Sequence, residues 1–280
     1  MDLPVTKVHV DSRFKEASGT HSDFNIRLSQ SVQFPEDTVA MVDNITIPNT
    51  FYTVNSNNHS FYVAEKIASN AFVRKITLAH GNLSGFTFAA ALANALNIGS
   101  PTVMGSNPYS ATFTSGIGKV LVVGSPSYNF LIMSDDQIQT HDGTGGLTIE
   151  KTNPRSGNGI LRNRSNGQTT SSPAAYTFKD TYTSGFVDLM PVHNCFIHSN
   201  LANNSVMTPR GLGDCIACCP ISSSFGFTVH HNNTSAADAV DVSRKSFETL
   251  SFQLRDAYGN IIETNGASWS CSLIFMKNNI

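Results

Sequence analysis

The chain has 280 residues, 40% of them hydrophobic and only 14% charged, with a formal net charge of -2 and a sequence pI near 6.5. That length buries a sizeable core without staples and excludes a mini-protein, while the missing basic excess argues against a protein that coats nucleic acid. Charged residues fall well below their usual share of about 25%, and Ser, Thr and Asn supply 84 of the 280 residues, a neutral polar surface that suits exposed β-sheet and ordered loops.

The first sixty residues read as extended chain. Val5 to Asp11 alternates, Phe24, Ile26 and Leu28 alternate with Asn25 and Arg27, and Val39 to Ile47 is β-branched and apolar. Prolines at Pro35 and Pro48 punctuate the boundaries, because proline removes a ladder donor and drives its predecessor toward extended geometry. Asn55 to His59 is a polar turn, and Ser60 to Glu65 a further strand. Val73 to Leu78 is the next strand candidate.

Between Ser84 and Asn97 the pattern becomes helical. The segment is rich in Ala, Ser84 or Thr87 caps its start, and Gly99 and Pro101 stop it. Phe88, Leu92, Ala95 and Leu96 form one apolar stripe. Short strands are expected at Ala111–Thr114, Lys119–Val123 and Asn129–Met133, giving a small α+β module of hairpins packed on one helix. From His141 to Ala175 the chain reads as a functional loop or return linker. Its cations Lys151, Arg155, Arg162 and Arg164 suggest a solvated loop over a phosphate patch, since no aromatics interleave with them.

Strands return at Phe186–Leu189, Asn194–His198, Cys215–Ile221, Gly226–His230, Phe247–Leu254 and Ser268–Phe275. A turn at Tyr258-Gly259-Asn260 suits a glycine at positive φ. Many short strands at regular spacing indicate a sandwich or jelly roll.

Residues able to carry chemistry form no convincing constellation. Gly116-Ile117-Gly118-Lys119 lacks P-loop spacing, and neither Gly-x-Ser-x-Gly nor a helical His pair occurs. Cys215, Cys218 and Cys219, with His193 and His198 upstream, have the spacing of half a zinc site. Ile216, Pro220 and Ile221 favour a buried strand with structural cysteines, leaving metal binding or a reactive thiol as lesser readings. Cys195 and Cys271 stand alone, and five cysteines make no disulfide framework. Asp135-Asp136 and the Asp238/Asp241 pair read as turn residues beside strands, and His230-His231 as strand-end or loop histidines. The 18 Phe against one Trp read mainly as core filling between sheets. Catalytic, cofactor-binding and metal residues are therefore expected to be none, and the chain is not expected to be an enzyme; a cupin-type metal enzyme is the weakest rival. The sequons at Asn44, Asn58, Asn82, Asn163 and Asn233 arise readily in so Asn-rich a chain. The segment Met1 to Lys7 lacks the character of a signal peptide, and no apolar run approaches the roughly 18 to 20 residues of a membrane span, so a soluble chain made in the cytosol is expected.

Several stretches resemble one family. Val10-Asp11-Ser12-Arg13, Ser22-Asp23-Phe24-Asn25-Ile26-Arg27-Leu28 and the run Val42 to Asn55, which contains Ile47-Pro48-Asn49-Thr50-Phe51-Tyr52, are similar to the opening of penton, or minor capsid, proteins of virophages and polinton-like viruses. Phe252 to Asn260 and Asn265 to Phe275 resemble their final strand pair, and Phe86 to Asn97 and Tyr182 to Leu189 also have counterparts. The resemblance implies a single jelly roll standing at an icosahedral five-fold vertex, five copies closing a ring among major capsid proteins of the double jelly-roll type. It carries no catalytic residues, and no long basic arm supports genome contact.

The expected architecture is mainly β: a single jelly roll, an antiparallel β-sandwich, formed by 1–63 and 176–280, with 64–175 as an inserted outer α+β module and return loop. The expected function is a structural virion protein, a homopentameric penton at the capsid vertices, with a host receptor as a further partner through the insertion. The alternative is a virion receptor-binding or carbohydrate-binding β-sandwich, motivated by the polar loops.

Overall fold

The computed structural model describes residues 6–101, 106–126, 128–145, 147, 149, 156–165, 170–190, 192–202, 206–208, 211–232 and 239–277. Lys151, Arg155, Asn233 and Asp238 lie outside them. The strands in chain order are β1 (Thr6–Asp11), β2 (Asp23–Gln33), β3 (Thr38–Pro48), β4 (Ser60–Ile67), β5 (Asn70–Thr77), β6 (Ser110–Thr114), β7 (Lys119–Val123), β8 (Asn129–Ile132) and β9 (Thr181–Thr183). They continue as β10 (Asn194–Ser199), β11 (Val206–Thr208), β12 (Gly211–Gly213), β13 (Cys215–Pro220), β14 (Thr228–Asn232), β15 (Val240–Asp241), β16 (Ser246–Arg255) and β17 (Ser270–Lys277). The α-helices are α1 (Gly85–Asn97), α2 (Asp135–Thr140) and α3 (Asn158–Leu161), none of them long and apolar enough to cross a membrane.

The chain divides into two compact units, Met1–Phe51 with Val192–Ile280 and Tyr52–Pro191. In the first, one sheet has the order β1-β17-β3-β14, with β15 also on β3, and the other the order β13-β10-β16-β2. All pairings are antiparallel: β1 with β17, β2 with β16, β3 with β14 and β10 with β13. Counted along the eight main strands, first pairs with eighth, second with seventh, third with sixth and fourth with fifth. A ribbon of nested pairs rolled into two facing sheets is a jelly roll.

Alternation explains the inside of this sandwich. Ala40, Val42, Ile45 and Ile47 of β3, Leu250, Phe252 and Leu254 of β16, and Cys271, Leu273 and Phe275 of β17 are buried, with polar residues largely between them. Phe24, Phe252 and Trp269 meet edge-on or tilted, with ring centroids 5.7 to 6.4 Å apart.

The second unit holds the sheets β5-β4-β8 and β6-β7-β9. Helix α1 starts at Ser84, whose hydroxyl accepts from the Thr87 N–H at 3.2 Å, and the expected stripe of Phe88, Leu92, Ala95 and Leu96 is buried. Strand β4 is buried on both sides: Phe61 and Val63 pack with the α1 side chains, Tyr62 and Ala64 with Val73, Met133, Ile138 and Tyr176. The division therefore falls at 51/52 and 191/192, not at 63/64 and 175/176. Strand β4 pairs with β5 and β8 and belongs wholly to the second unit.

Three local expectations are corrected. Phe186–Leu189 is not a strand: Val187 donates to Gly118 O at 2.7 Å and Asp188 to Ile160 O at 2.8 Å, so its bonds go to two separate segments instead of one ladder. Asp135 and Asp136 are not turn residues but the first turn of α2, capped by Ser134 in a reciprocal box with Gln137, where negative charge meets the positive helix end. The stretch from His141 to Ala175 contains α3, and its Ile149, Ile160 and Leu161 are buried in cores of the second unit.

Candidate interaction surface

One end of the jelly roll is built from the segments that the resemblance singles out. The register brings the ends of β1 and β3 beside the starts of β17 and β14, and the end of β16 beside the starts of β2 and β10. The connections 12–22, 221–227 and 256–269 all lie here, and the chain leaves and re-enters the unit at this end, after Phe51 and before Val192.

Each connection is tied down by a short polar residue. Asp11 caps a turn of 3-10 helix at Ser12–Phe14: its carboxylate accepts from the Arg13 N–H at 2.9 Å and from the Arg13 guanidinium at 2.6 to 3.1 Å. That guanidinium holds the Asp11 carboxyl below its ordinary range. Ser12 exchanges bonds with Trp269, whose N–H donates to the serine hydroxyl at 3.0 Å, and the Trp269 indole N–H donates to His21 O at 2.7 Å.

Asn49 is buried and clamps the second connection. Its backbone N–H donates to Phe227 O at 2.8 Å, its side-chain Nδ2 to Ser223 O at 2.7 Å, and its carbonyl accepts from Gly226 N–H at 2.7 Å. Thr50 holds the third connection through its hydroxyl to Thr264 O at 2.7 Å, and Asn265 Nδ2 donates to Thr50 O at 2.5 Å. Within that connection Asp256 accepts from the N–H groups of Tyr258 and Asn260, both at 2.8 Å, around Gly259 at φ 82°. This is the expected turn, closed by Gly259 N–H to Asp256 O at 3.0 Å.

The loops so held present large side chains to solvent: Phe14 is 74% exposed, Phe227 68% and Tyr258 55%, with Phe225 and Ile261 at 40%. Exposed aromatics on hydrogen-bonded loops make this end of the jelly roll the candidate interaction surface. Core filling is thus a correct reading for Phe24, Phe34 and Phe252 but not for these, nor for Phe72, Phe86 and Phe186 in the second unit. The missed signal is their setting: Ser222-Ser223-Ser224-Phe225-Gly226-Phe227 is turn composition without alternation.

The other singled-out residues do not converge. Cys215 and Cys219 are buried on β13, Cys218 on the same strand is exposed, and Cys195 stands opposite Cys219. Burial pushes the Cys195 thiol well up, Cys219 to about 11 and Cys271 to about 12, which keeps these thiols protonated. Among the described residues no three His, Cys, Asp or Glu side chains form a cation site. Arg162 pairs with Asp188. Asp241 lies at the end of β15 and accepts from Ser243, and His230 sits in β14 with Nδ1 3.2 Å from Thr46 Oγ1.

No family profile and no curated protein sequence matches the chain. Its structure is similar to the crystal structure of the mavirus penton protein, with a TM-score of 0.52 and 10% sequence identity over 99% of each chain. A chain of the Sputnik virophage cryo-EM structure aligns over 98% of both chains with 13% identity and a TM-score of 0.48. The likeness to the mavirus protein is one of fold.

Proposed function

We propose that this chain is a structural virion protein, the penton subunit of an icosahedral capsid of the virophage and polinton-like type, with five copies closing a ring at each five-fold vertex. The observation that carries this reading is the fold shared with the mavirus penton protein over nearly the whole of both chains. The sparsely charged surface supports it, since side chains that meet neighbours in a shell then leave few charges to desolvate. So do the anchored aromatic loops, which need no ordering when a partner arrives. A ring uses head-to-tail contacts that close on themselves, and the number of contacts in a shell adds permanence beyond any one of them.

In this reading the jelly roll is the base, its neighbours are further copies and major capsid proteins of double jelly-roll type, and residues 52–191 face outward as the segment available to a host receptor. The role is structural and not enzymatic. Cryo-EM of purified particles tests it: density for this chain at the five-fold axes is expected, and its placement at two-fold or three-fold positions, or outside the shell, overturns the reading.

A further inference from the structure

Where the second unit begins, the chain makes a tight detour that the capsid reading does not use. Val54 and Gly81 exchange both backbone bonds, at 3.0 and 2.9 Å, and the Leu78 N–H donates to His59 O at 2.8 Å. Residues 55–58 are thus looped out between two paired positions that only Ala79 and His80 separate on the other segment. The loop is held by its own amides. Asn58 Oδ1 accepts from the Asn55 N–H at 2.7 Å, Asn55 Oδ1 accepts from the Asn57 N–H at 2.8 Å, and Asn58 Nδ2 donates to Thr53 O at 2.9 Å. Local bonds of this kind fix the carbonyls of Asn55 and Ser56 in place.

Those two carbonyls orient one imidazole. His59 Nδ1 lies 3.2 Å from Asn55 O and 3.1 Å from Ser56 O; carbonyls only accept, so Nδ1 carries the proton and Nε2 of the neutral ring carries the lone pair. A backbone carbonyl on one ring nitrogen is the support that metal-ligating histidines use to aim the other. A second imidazole stands beside it. His80 is exposed, its ring centroid is 5.0 Å from that of His59, and the two planes cross at 70°. Among the described residues, neither His59 Nε2 nor either ring nitrogen of His80 makes a hydrogen bond.

We infer that His59 and His80 form a two-histidine site for a divalent late first-row transition ion such as zinc, with water in the remaining coordination positions. Imidazole nitrogen suits such ions. An ion held by both rings lies in the plane of each, and so on the line where the planes meet. Parallel stacked rings have no such line, whereas rings at 70° do. The spacing fits as well: a zinc–nitrogen bond of about 2.0 Å and roughly 1.1 Å from nitrogen to ring centre, opened to a tetrahedral angle, put two centroids about 5 Å apart. Bound there, the ion staples the 55–59 loop to the segment after β5 and stabilises the second unit, as any ligand of the folded state alone does.

The test is calorimetric titration of the full-length chain, first stripped with a chelator, with zinc chloride, while NMR of the imidazole rings locates the ion. Binding that shifts the ring signals of His59 and His80 is expected, with a higher melting temperature and slower amide exchange in residues 53–59 and 78–81. His80→Ala is an exposed substitution; it should keep the native circular dichroism spectrum and weaken this binding by about tenfold or more, at least the scale on which metal sites respond to loss of a supporting group. Cys218→Ser and His230→Ala should leave it unchanged. No binding up to about 1 mM zinc overturns the inference. So does an affinity indifferent to His80→Ala, a loss of binding through Cys218→Ser alone, or a shift of the His230 and His231 ring signals in place of these two. None of these readouts depends on where the chain sits in a particle, so the site and the penton reading fail separately.

Discussion

The Tyr109 hydroxyl donates to the Glu65 carboxylate at 2.5 Å, inside the second unit, where Glu65 has 1% of its side chain exposed. The same carboxylate takes two bonds from Arg74, Nε at 2.9 Å and an Nη at 2.8 Å, and Arg74 also reaches Leu96 O and, at 3.0 Å, Ile98 O. One carboxylate on β4 thus ties β5, the last turn of α1 and the approach to β6. Arg74 at the helix C-terminus meets the carbonyls left without intrahelical partners.

Removing the centre of this network leaves a partly buried guanidinium without its counter-ion, met only by the Leu96 and Ile98 carbonyls. Glu65→Ala is expected to destabilise the second unit by about 3 to 5 kcal/mol, and Tyr109→Phe by about 1.5 to 3 kcal/mol. Hydrogen exchange should quicken in α1 and β5 while β16 and β17 keep their protection. Equal loss of protection in both units disproves the assignment to one of them.

Asn49→Ala removes the donor to Ser223 O and should cost about 1 to 3 kcal/mol. The visible effect is expected in residues 221–227, as faster amide exchange and greater mobility of the Phe225 and Phe227 rings by NMR. Unchanged exchange there means that the backbone bonds of Asn49 hold the loop unaided.

Thiol reactivity sorts the cysteines. Cys218 is exposed, whereas Cys195, Cys219 and Cys271 are buried with raised thiol pKa values. With a thiol reagent at neutral pH, Cys218 should react first in the native, unassembled protein, and these three only on unfolding. Peptide mapping that finds Cys271 modified before Cys218 contradicts this order.

Burial raises the phenols of Tyr109 and Tyr182, and that of Tyr176 to about 12. A group whose folded pKa lies above its unfolded value stabilises the fold below the unfolded pKa, here about 10, and that contribution is lost as pH rises through the folded value. Stability of the second unit should accordingly fall between about pH 10 and 12. Tyr182→Phe, which has no such proton to lose, should flatten the fall. Absorbance titration of phenolate against circular dichroism checks whether the late phenols ionise together with unfolding.

Much of the architecture was legible because period-2 alternation is strong where one face of a strand is buried, as in Phe24, Ile26 and Leu28. The helix over Gly85–Asn97 was legible from its cap and stripe. The domain boundary was not, because Phe61 to Ala64 reads alike as a jelly-roll strand or as a central strand buried on both sides, and only its partners β5 and β8 decide. Helix α2 is too short for its six residues to show a period. At the surface, Asn49, Thr50 and Asp256 stood in the resembling segments without a role, since a clamp between residues more than 170 positions apart, such as Asn49 to Ser223, leaves no local pattern.

The nesting of strand pairs bears on the order in which the molecule comes into being. Strand β1 is made first, yet its partner β17 is made last, whereas residues 52–191 contain every strand partner that their two sheets use. On the ribosome the interrupting segment therefore reaches its native contacts early, while β1, β2 and β3 wait as unpaired ribbons for the C-terminal half. Closure of the jelly roll, the step of highest contact order and greatest exposure to aggregation, comes only once β17 has been made, and any mutation that slows β16 or β17 should first show itself as insoluble product.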